Sequence, residues 1–121
     1  MAITKQAVTI LVPTSVVAGT TAAAPVVGPT ADVRGFAGGE WAYKITNDAS
    51  APTVACTIVL QTSPDGTNWF DYFTVGGSTV PGGNVSSSLP MGRGVMFARV
   101  IAYGNVTNGV IVESRLQAVV G

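Results

Sequence analysis

Glycine and proline interrupt this sequence so often that long helices do not fit between them. The chain has 15 Gly and 7 Pro among its 121 residues, and no stretch shows a convincing 3.6-residue apolar repeat. The segments between these breaks are short and rich in β-branched and aromatic residues, as β-strands are. The sequence therefore predicts an all-β domain.

Three segments alternate between apolar and polar residues, which is the pattern of a strand with one buried face. Their apolar sets are Trp41, Tyr43 and Ile45; Val54, Cys56, Ile58 and Leu60; and Val110, Val112, Leu116, Ala118 and Val120. Further candidate strands cover residues 4–12, 32–36, 69–75, 84–88 and 95–103. Seven or eight short strands with turns at regular spacing predict an antiparallel β-sandwich or jelly roll, in a single domain of residues 1–121.

Residues 13–31 do not read as a regular part of such a sandwich, and we interpret them as an extended arm or long loop. The segment contains three Pro and no charge, and Val and Ala dominate it. It either crosses its own sandwich as an irregular strand or reaches over a neighbouring copy. We expect contacts between subunits to order it, with Val16, Val17, Val26 and Val27 as candidate interface residues.

The charge content favours contacts between copies and argues against two classes of partner. Charged residues make up 10% of the chain and cancel to zero net charge, so electrostatic repulsion gives little protection against homo-oligomers. The six basic residues are scattered, which argues against nucleic acid. Pro13 and Pro25 would break a membrane-spanning helix over residues 7–28. The start of the chain lacks the pattern of a signal peptide, so we expect synthesis in the cytoplasm.

Residue types that usually carry chemistry are scarce. The chain has no His, and its one cysteine, Cys56, cannot form an intrachain disulfide or a cysteine-cluster metal site. The acidic residues are far apart in sequence, so a glycosidase-like carboxylate pair would have to form through the fold. We therefore expect no enzymatic activity and no cofactor or metal. Cys56 shares its face with Val, Ile and Leu, which predicts an unreactive core thiol.

The stretch "SPDGTNWFDYF" places a Pro-Asp-Gly turn before four aromatic residues. The turn joins the strand over residues 54–62 to the strand over 69–75. We expect Trp69 to pack inward against the preceding strand. Phe70 and Tyr72 make the other face of the second strand apolar as well. The alternative is an exposed sugar-binding platform, for which Asn68 and Asp71 are the available polar groups.

The strand over residues 95–103 has two different faces. Met96, Ala98, Val100 and Ala102 form a small aliphatic set that suits the space between sheets, and the other set carries the only charge of the strand. We expect Phe97, Arg99, Ile101 and Tyr103 to point outward as an interface. The alternative is that the segment 13–31 covers this face within one chain, with Arg99 extending to water.

The runs "IVLQTSPDGTNWFDYFTV" and "MFARVIAYGNVTNGVIVESRLQA" resemble a group of small all-β bacteriophage virion proteins. Members share a strand ending in Gln-Thr-Ser, a Pro-Asp-Gly turn and a Trp, then an aromatic-x-Arg-hydrophobic strand and a last strand near the C-terminus. The matching positions here are residues 61–63, 64–66, 69, 97–100 and 110–118. Residues 13–31 are not part of the similarity.

The resemblance implies a capsid decoration (cement) protein or another minor head or tail component. Such a protein is located in the virion, and its partners are the major capsid protein or other virion subunits. The matched positions belong to fold and packing, so the resemblance implies no functional site residues. The rival class is a carbohydrate- or receptor-binding module of a phage tail or fibre, which the fold alone does not separate from a decoration protein.

Overall fold

The computed structural model describes residues 4–120 of the chain, and residues 1–3 and 121 of the predicted domain lie outside the described part. This part folds into nine strands without helices. The strands are β1 (Thr4–Val16), β2 (Val26–Val27), β3 (Ala31–Asp32), β4 (Gly39–Asn47), β5 (Thr57–Ser63), β6 (Phe70–Gly76), β7 (Asn84–Met91), β8 (Phe97–Tyr103) and β9 (Val110–Val120). Over the same residues, no helix is long and apolar enough to cross a membrane.

The strands form two antiparallel sheets. The first sheet has the order β1-β9-β4-β7, and the second has the order β2-β8-β5-β6, with β3 also paired to β8. The predicted all-β class is confirmed. The prediction of seven or eight strands missed the two-residue strand β2, and residues 32–36 contribute to a strand only at Asp32.

The core lies between the two sheets and is built from the alternating sets that the sequence identifies. Trp41 and Ile45 of the first sheet and Ile58 and Leu60 of the second are fully buried in it. The Trp41 ring stacks on Phe73 of the opposite sheet, with 6.1 Å between ring centroids. Val54, by contrast, precedes β5 and is exposed.

The buried polar atoms at the centre of the first sheet satisfy one another. The Trp41 indole N–H donates to the hydroxyl of Ser114, and this hydroxyl donates to the Ala42 carbonyl oxygen at 2.9 Å. The buried Trp41 N–H needs an acceptor at this position. This need explains why Ser114 is the one polar residue on the inner face of β9.

Residues 13–31 lie on their own domain and carry the chain from the first sheet to the second. Val16, the last residue of β1, is fully buried in the core. Val26 and Val27 then pair with Ala102 and Ile101 of β8. The Gly28 N–H donates to the Val100 carbonyl oxygen at 2.8 Å. The expectation that contacts between subunits order this segment is therefore corrected, because hydrogen bonds within the chain hold it.

The turn between β1 and β2 is held in the same way. Asn105, which is fully buried, donates from its amide to the Val16 carbonyl oxygen at 2.9 Å. The Gly19 N–H donates to the Asn105 carbonyl oxygen at 2.9 Å, and the Gly104 N–H donates to the Thr20 carbonyl oxygen at 2.8 Å. The β8–β9 loop thus holds the beginning of the segment that leads from β1 to β2.

The glycine-rich run "GFAGGE" forms the turn into β4. Gly38 and Gly39 have φ angles of +90° and +157°, a region that side chains avoid. A Cβ on Gly39 would collide with the Gln117 carbonyl oxygen of β9. These glycines therefore allow β4 to enter the sheet close to β9.

Cys56 lies in the core, as predicted, and its thiol should react slowly. The residue is 1% exposed, and burial raises the pKa of its thiol to about 11. Since an ordinary thiol has a pKa of about 8.5, the reactive thiolate fraction at neutral pH falls by at least about 100-fold. We expect an aromatic disulfide reagent to label the native chain at least that much more slowly than the chain in urea. Labelling at similar rates in both states would contradict this placement.

Candidate interaction surface

The outward face of the second sheet carries most of the residues that the sequence assigns to an interface; we call it the outer face. In β8, Ala98, Val100 and Ala102 are fully buried in the core. The residues between them, which are Phe97, Arg99, Ile101 and Tyr103, lie on the opposite side of the sheet. The predicted division of β8 into two faces is correct for the strand itself. Met96 was expected inward, but it precedes the strand and is exposed.

The centre of the outer face is apolar. Val27 of β2 pairs with Ile101 of β8, Ile101 pairs with Val59 of β5, and Val59 pairs with Thr74 of β6. Val59 is 1% and Ile101 is 9% exposed, although neither belongs to the core between the sheets. A row of three apolar side chains, Val27, Ile101 and Val59, therefore lies on the outward side from β2 to β5, and Val27 is the exposed member.

Arg99 is held next to this row by partners within the chain. Its Nε donates to the Gln61 side-chain oxygen at 2.9 Å, and the Gln61 amide donates to the Asp71 carboxylate at 3.0 Å. The guanidinium carbon lies 4.3 Å from the centroid of the Trp69 ring. The guanidinium is thus held by the Gln61 amide of β5, which Asp71 orients, and by the Trp69 ring directly before β6.

The prediction that Trp69 packs inward is wrong, and the reason is a register shift between β5 and β6. Leu60 pairs with Phe73, but Gln61 pairs with Asp71, so Tyr72 is an extra residue in β6. Such a bulge reverses the alternation of side chains on its two sides. Phe73 consequently faces the core, whereas Trp69 and Asp71 lie on the outer face.

The Pro-Asp-Gly turn is closed by its own side chains. The Ser63 hydroxyl accepts the Gly66 N–H at 2.8 Å, and the Asp65 carboxylate accepts the N–H groups of Thr67 and Asn68 at 2.9 and 2.8 Å. These bonds stabilise the charged carboxylate and hold the pKa of Asp65 well below its usual range, and the bond from the Asn68 N–H has the largest effect. Gly66 has φ +78° and approaches the ring of Phe97, where a Cβ would lie at 3.9 Å. The turn therefore covers one end of the outer face.

A second cation covers Phe97 from another side. Asp32 of β3 pairs with Phe97, and it binds the Arg34 guanidinium at 2.8 Å. The guanidinium carbon of Arg34 lies 4.8 Å from the centroid of the Phe97 ring. Phe97 is half-buried as a result, and Tyr103 at the other end of β8 is half-buried as well.

Asn68 and Asp71, the polar groups of the sugar-platform alternative, already have partners within the chain. The Asn68 amide donates to the Asp65 carboxylate at 2.7 Å, and Asp71 accepts the Gln61 amide. Among the aromatic residues, Trp69 is stacked against Arg99, and the Tyr72 hydroxyl accepts the Gly92 N–H at 3.1 Å. Both polar groups therefore serve the fold.

The outward face of the first sheet has a different character. It carries five charged residues, which are Lys5, Glu40, Lys44, Glu113 and Arg115. Lys44 pairs across the sheet with Glu113, and Glu113 lies 3.6 Å from Arg115. The rest of this face is mostly small or polar. It is therefore a hydrated surface, and the outer face of the second sheet is the more apolar of the two.

The structure brings together five of the eight predicted interface residues, which are Val27, Phe97, Arg99, Ile101 and Tyr103. Val16 is buried in the core and is not accessible to a partner, which corrects its assignment. Val26 packs against the core, and Val17 is exposed in the turn after β1, outside the outer face.

Sequence reasoning missed Val59, Gln61, Trp69 and Asp71 as members of this surface. The alternation of β5 contained a signal for the first two. Val59 and Gln61 are the residues between Ile58, Leu60 and Thr62, so they share one face by period alone. No comparable signal marked Trp69 and Asp71, because their face depends on the bulge at Tyr72.

Two further features bear on small ligands, namely one cleft and the spacing of the side chains that could bind a metal ion. A cleft of about 380 Å³ lies at one end of the sandwich, lined by residues 62–64, 92 and 94–96 and by Tyr72. This lining contains no carboxylate, Lys or Arg. Within residues 4–120, no group of three or more His, Cys, Asp or Glu side chains is placed to hold a metal ion.

Comparisons with known proteins find structural likeness but no sequence match. No protein-family model matches the chain, and no curated protein matches its sequence. A chain in the structure of infectious bursal disease virus Gx strain superposes with a TM-score of 0.54 at 8% identity, covering 98% of this chain and 32% of the viral chain. This likeness supports the all-β fold.

Two further structures have lower scores. The SPBc2 prophage-derived protein YomS superposes with a TM-score of 0.49 at 12% identity, covering 96% of this chain and 95% of YomS. A chain from Bacillus endospore appendages, a family of disulfide-linked pili, gives a TM-score of 0.47 at 17% identity, covering 95% of this chain and 88% of the other.

The lowered pKa of Asp65 makes a prediction about acid stability. A carboxyl whose pKa is lower in the folded state stabilises the fold above its unfolded pKa of about 3.9, and this stabilisation is lost as pH falls towards the folded value. Asp65→Asn should therefore lower the melting temperature at pH 7, and the difference should shrink as the pH falls below about 4.

Thermal melts followed by circular dichroism between pH 7 and pH 2 would measure this difference. Asp48→Asn, at an exposed loop position, is the matched control and should melt like the wild type at pH 7. A constant difference between Asp65→Asn and the wild type at every pH would show that the Asp65 charge does not stabilise the turn.

Proposed function

We propose that this chain is a non-enzymatic bacteriophage virion protein, a capsid decoration protein that binds capsid subunits through the outer face of its second sheet. The observation that carries the proposal is the contrast between the two outward faces. One is polar and carries five charges, and the other carries four, Asp32, Arg34, Asp71 and Arg99, which are bonded to each other or to Gln61 around an apolar centre with aromatic residues. Aromatic residues and Arg are enriched in protein interfaces, and unpaired charges are depleted there.

The arrangement of Arg99 supports this use of the surface. A long side chain normally loses about 0.5–1.5 kcal/mol of conformational freedom when a partner immobilises it. Arg99 is held beforehand by Gln61 and Trp69, so part of this cost is met on folding. A preorganised aromatic and Arg surface around Ile101 is the kind of centre from which a few residues supply most of the binding energy.

The resemblance to small phage virion proteins supports the proposal through the same residues. Gln61 is the first residue of the Gln-Thr-Ser triplet, Trp69 follows the turn, and Arg99 belongs to the aromatic-x-Arg strand. These three residues, separated in sequence, converge in one network on the outer face. The fold is also found in a chain of a virus structure.

In this proposal the protein is made in the host cytoplasm, joins the particle during assembly and remains in the virion. Its partners are the major capsid protein or other virion subunits and further copies of itself. The outer face supports such contacts, and the scattered positions of the six basic residues in the sequence argue against nucleic acid.

A double variant of the outer face tests the proposal. Val27→Glu with Tyr103→Glu places two charges beside Ile101, at side chains that are 50% exposed and half-buried respectively. Cosedimentation with heads of the phage that encodes the chain should show at least about a 30-fold loss of affinity, since hot-spot residues contribute about 2 kcal/mol or more.

Val80→Glu is the matched control, because Val80 is 60% exposed in the β6–β7 loop, outside the outer face. It should bind heads like the wild type, and all variants should keep the wild-type circular dichroism spectrum. Normal binding by the folded double variant would contradict the proposal. Binding of the wild type to tails or to surface glycans alone would favour the receptor-binding class instead.

A further inference from the structure

We propose that two copies of this chain join through the free edge of β7, so that the first sheet continues across both copies. Among residues 4–120, only β4 pairs with β7, and its other side is open. This inference deepens the self-association in the proposed function by naming the contact. It uses a different surface from the outer face of the second sheet, so the two can fail separately.

The hydrogen bonds of β4 determine which groups β7 leaves free. The Asn47 N–H donates to the Gly83 carbonyl oxygen at 2.9 Å, directly before β7 begins. Because antiparallel ladders alternate, Val85, Ser87 and Leu89 bond to β4, and the backbone groups of Asn84, Ser86, Ser88 and Pro90 point to the open side. Pro90 is one of the residues whose backbone points to the open side, so its missing N–H costs no hydrogen bond to β4.

The other sheet edges carry bulges, charges or very short strands that oppose pairing, whereas the one such feature of β7 is Pro90, next to its C-terminal residue. β1 has two register shifts, with Pro13 and Lys5 along its length. β6 has the bulge at Tyr72 and the charge of Asp71. On the remaining edge, β2 and β3 are only two residues long. β7 is eight residues long, pairs with β4 without a register shift and contains no charged side chain. Unprotected edges of this kind are templates for another strand.

The sequence of β7 is complementary to itself in the antiparallel direction. With a two-fold axis at Ser87, the N–H and C=O groups of Ser86 face those of Ser88 in the second copy. Asn84 then faces Pro90 of the second copy. The Asn84 N–H donates to the Pro90 carbonyl oxygen, and Pro90 itself has no N–H to donate in return. Val85 and Leu89, both half-buried, lie opposite each other on the core side. In this register every free N–H of β7 meets a carbonyl oxygen, and like charges do not face one another.

The self-complementary sequence of β7 favours a second copy of this chain as the partner. A foreign strand would have to match the uncharged Ser-Ser-Ser centre and the Val85 and Leu89 positions, and the chain itself does both. Its zero net charge removes long-range repulsion between copies. An edge contact is small, so we expect a reversible dimer in solution that strengthens when copies are fixed side by side on a larger assembly.

Ser88→Pro tests the contact, and Ser88→Ala is its matched control. The Ser88 N–H points away from β4, so proline removes a donor needed only by the second copy. Sedimentation equilibrium should give a concentration-dependent dimer for the wild type and for Ser88→Ala. Ser88→Pro should be at least about 10-fold weaker in self-association, with an unchanged circular dichroism spectrum.

A cysteine variant tests the register even if the proline variant folds poorly. The two-fold axis places the two Ser87 residues as a non-hydrogen-bonded pair with Cα atoms about 4.5 Å apart, within disulfide reach. Ser87→Cys should form disulfide-linked dimers under mild oxidation, while Ser86→Cys, whose copies are offset along the strand, should not. Cys56 is buried and stays out of the reaction.

Two results would overturn the inference. One is a wild-type chain that stays monomeric at all accessible concentrations, and the other is equal crosslinking of Ser87→Cys and Ser86→Cys. Neither result affects head binding by the outer face. Conversely, the Val27→Glu and Tyr103→Glu variant should still dimerise, so loss of head binding in that variant leaves the β7 contact in place.

Discussion

The one-residue register shift between β5 and β6 is the constraint on which the two faces of the second sheet depend. It sends Phe73 inward, where its ring stacks on Trp41, and it sends Trp69 outward, where its ring holds Arg99. Fully burying a Phe side chain stabilises a fold by about 1.5–3 kcal/mol and an exposed cation–π pair contributes about 0.5–1 kcal/mol, and the partly buried Phe73 also gains from stacking on Trp41. Core packing therefore sets the position of β6, and the outer-face network forms as a consequence.

The few charged residues of the chain are distributed unevenly over the two sheets. Five of the twelve charged residues lie on the outward face of the first sheet, where they are hydrated or paired. On the second sheet, Arg99 and Asp71 are linked through Gln61, and Asp32 binds Arg34. The apolar row through Ile101 is thus framed by charges that already have partners. A neighbouring subunit that covers this row would meet charged side chains that already have hydrogen-bond partners within the chain.

Much of the fold follows from the sequence alone because alternation of apolar residues is a local signal. The inward sets of β4, β5 and β9, the buried thiol of Cys56 and the two faces of β8 are all consequences of period two. The position of Val16 could not be predicted in the same way. β1 continues through Pro13, which an edge strand tolerates, and buries a residue that resembled part of a loop.

The interaction surface was predictable only in part, for a related reason. Phe97, Arg99, Ile101 and Tyr103 share a face through local alternation, so the sequence identifies them together. Val27 joins them only through pairing of β2 with β8 across a long stretch of chain. Trp69 and Asp71 join through a bulge at Tyr72, where neither Gly nor Pro marks the extra residue. Such non-local pairing and single-residue insertions leave no periodic trace.

The central claim is that the outer face of the second sheet binds this protein to a virus particle. Under the proposal that the chain is a phage virion protein, a cryo-EM reconstruction of that phage is the decisive measurement. We expect density for the sandwich on the head, with Val27, Ile101 and Tyr103 against capsid subunits and the charged face of the first sheet turned to solvent. A sandwich attached by that charged face, or purified virions that lack the protein, would show that the outer face is not the binding surface.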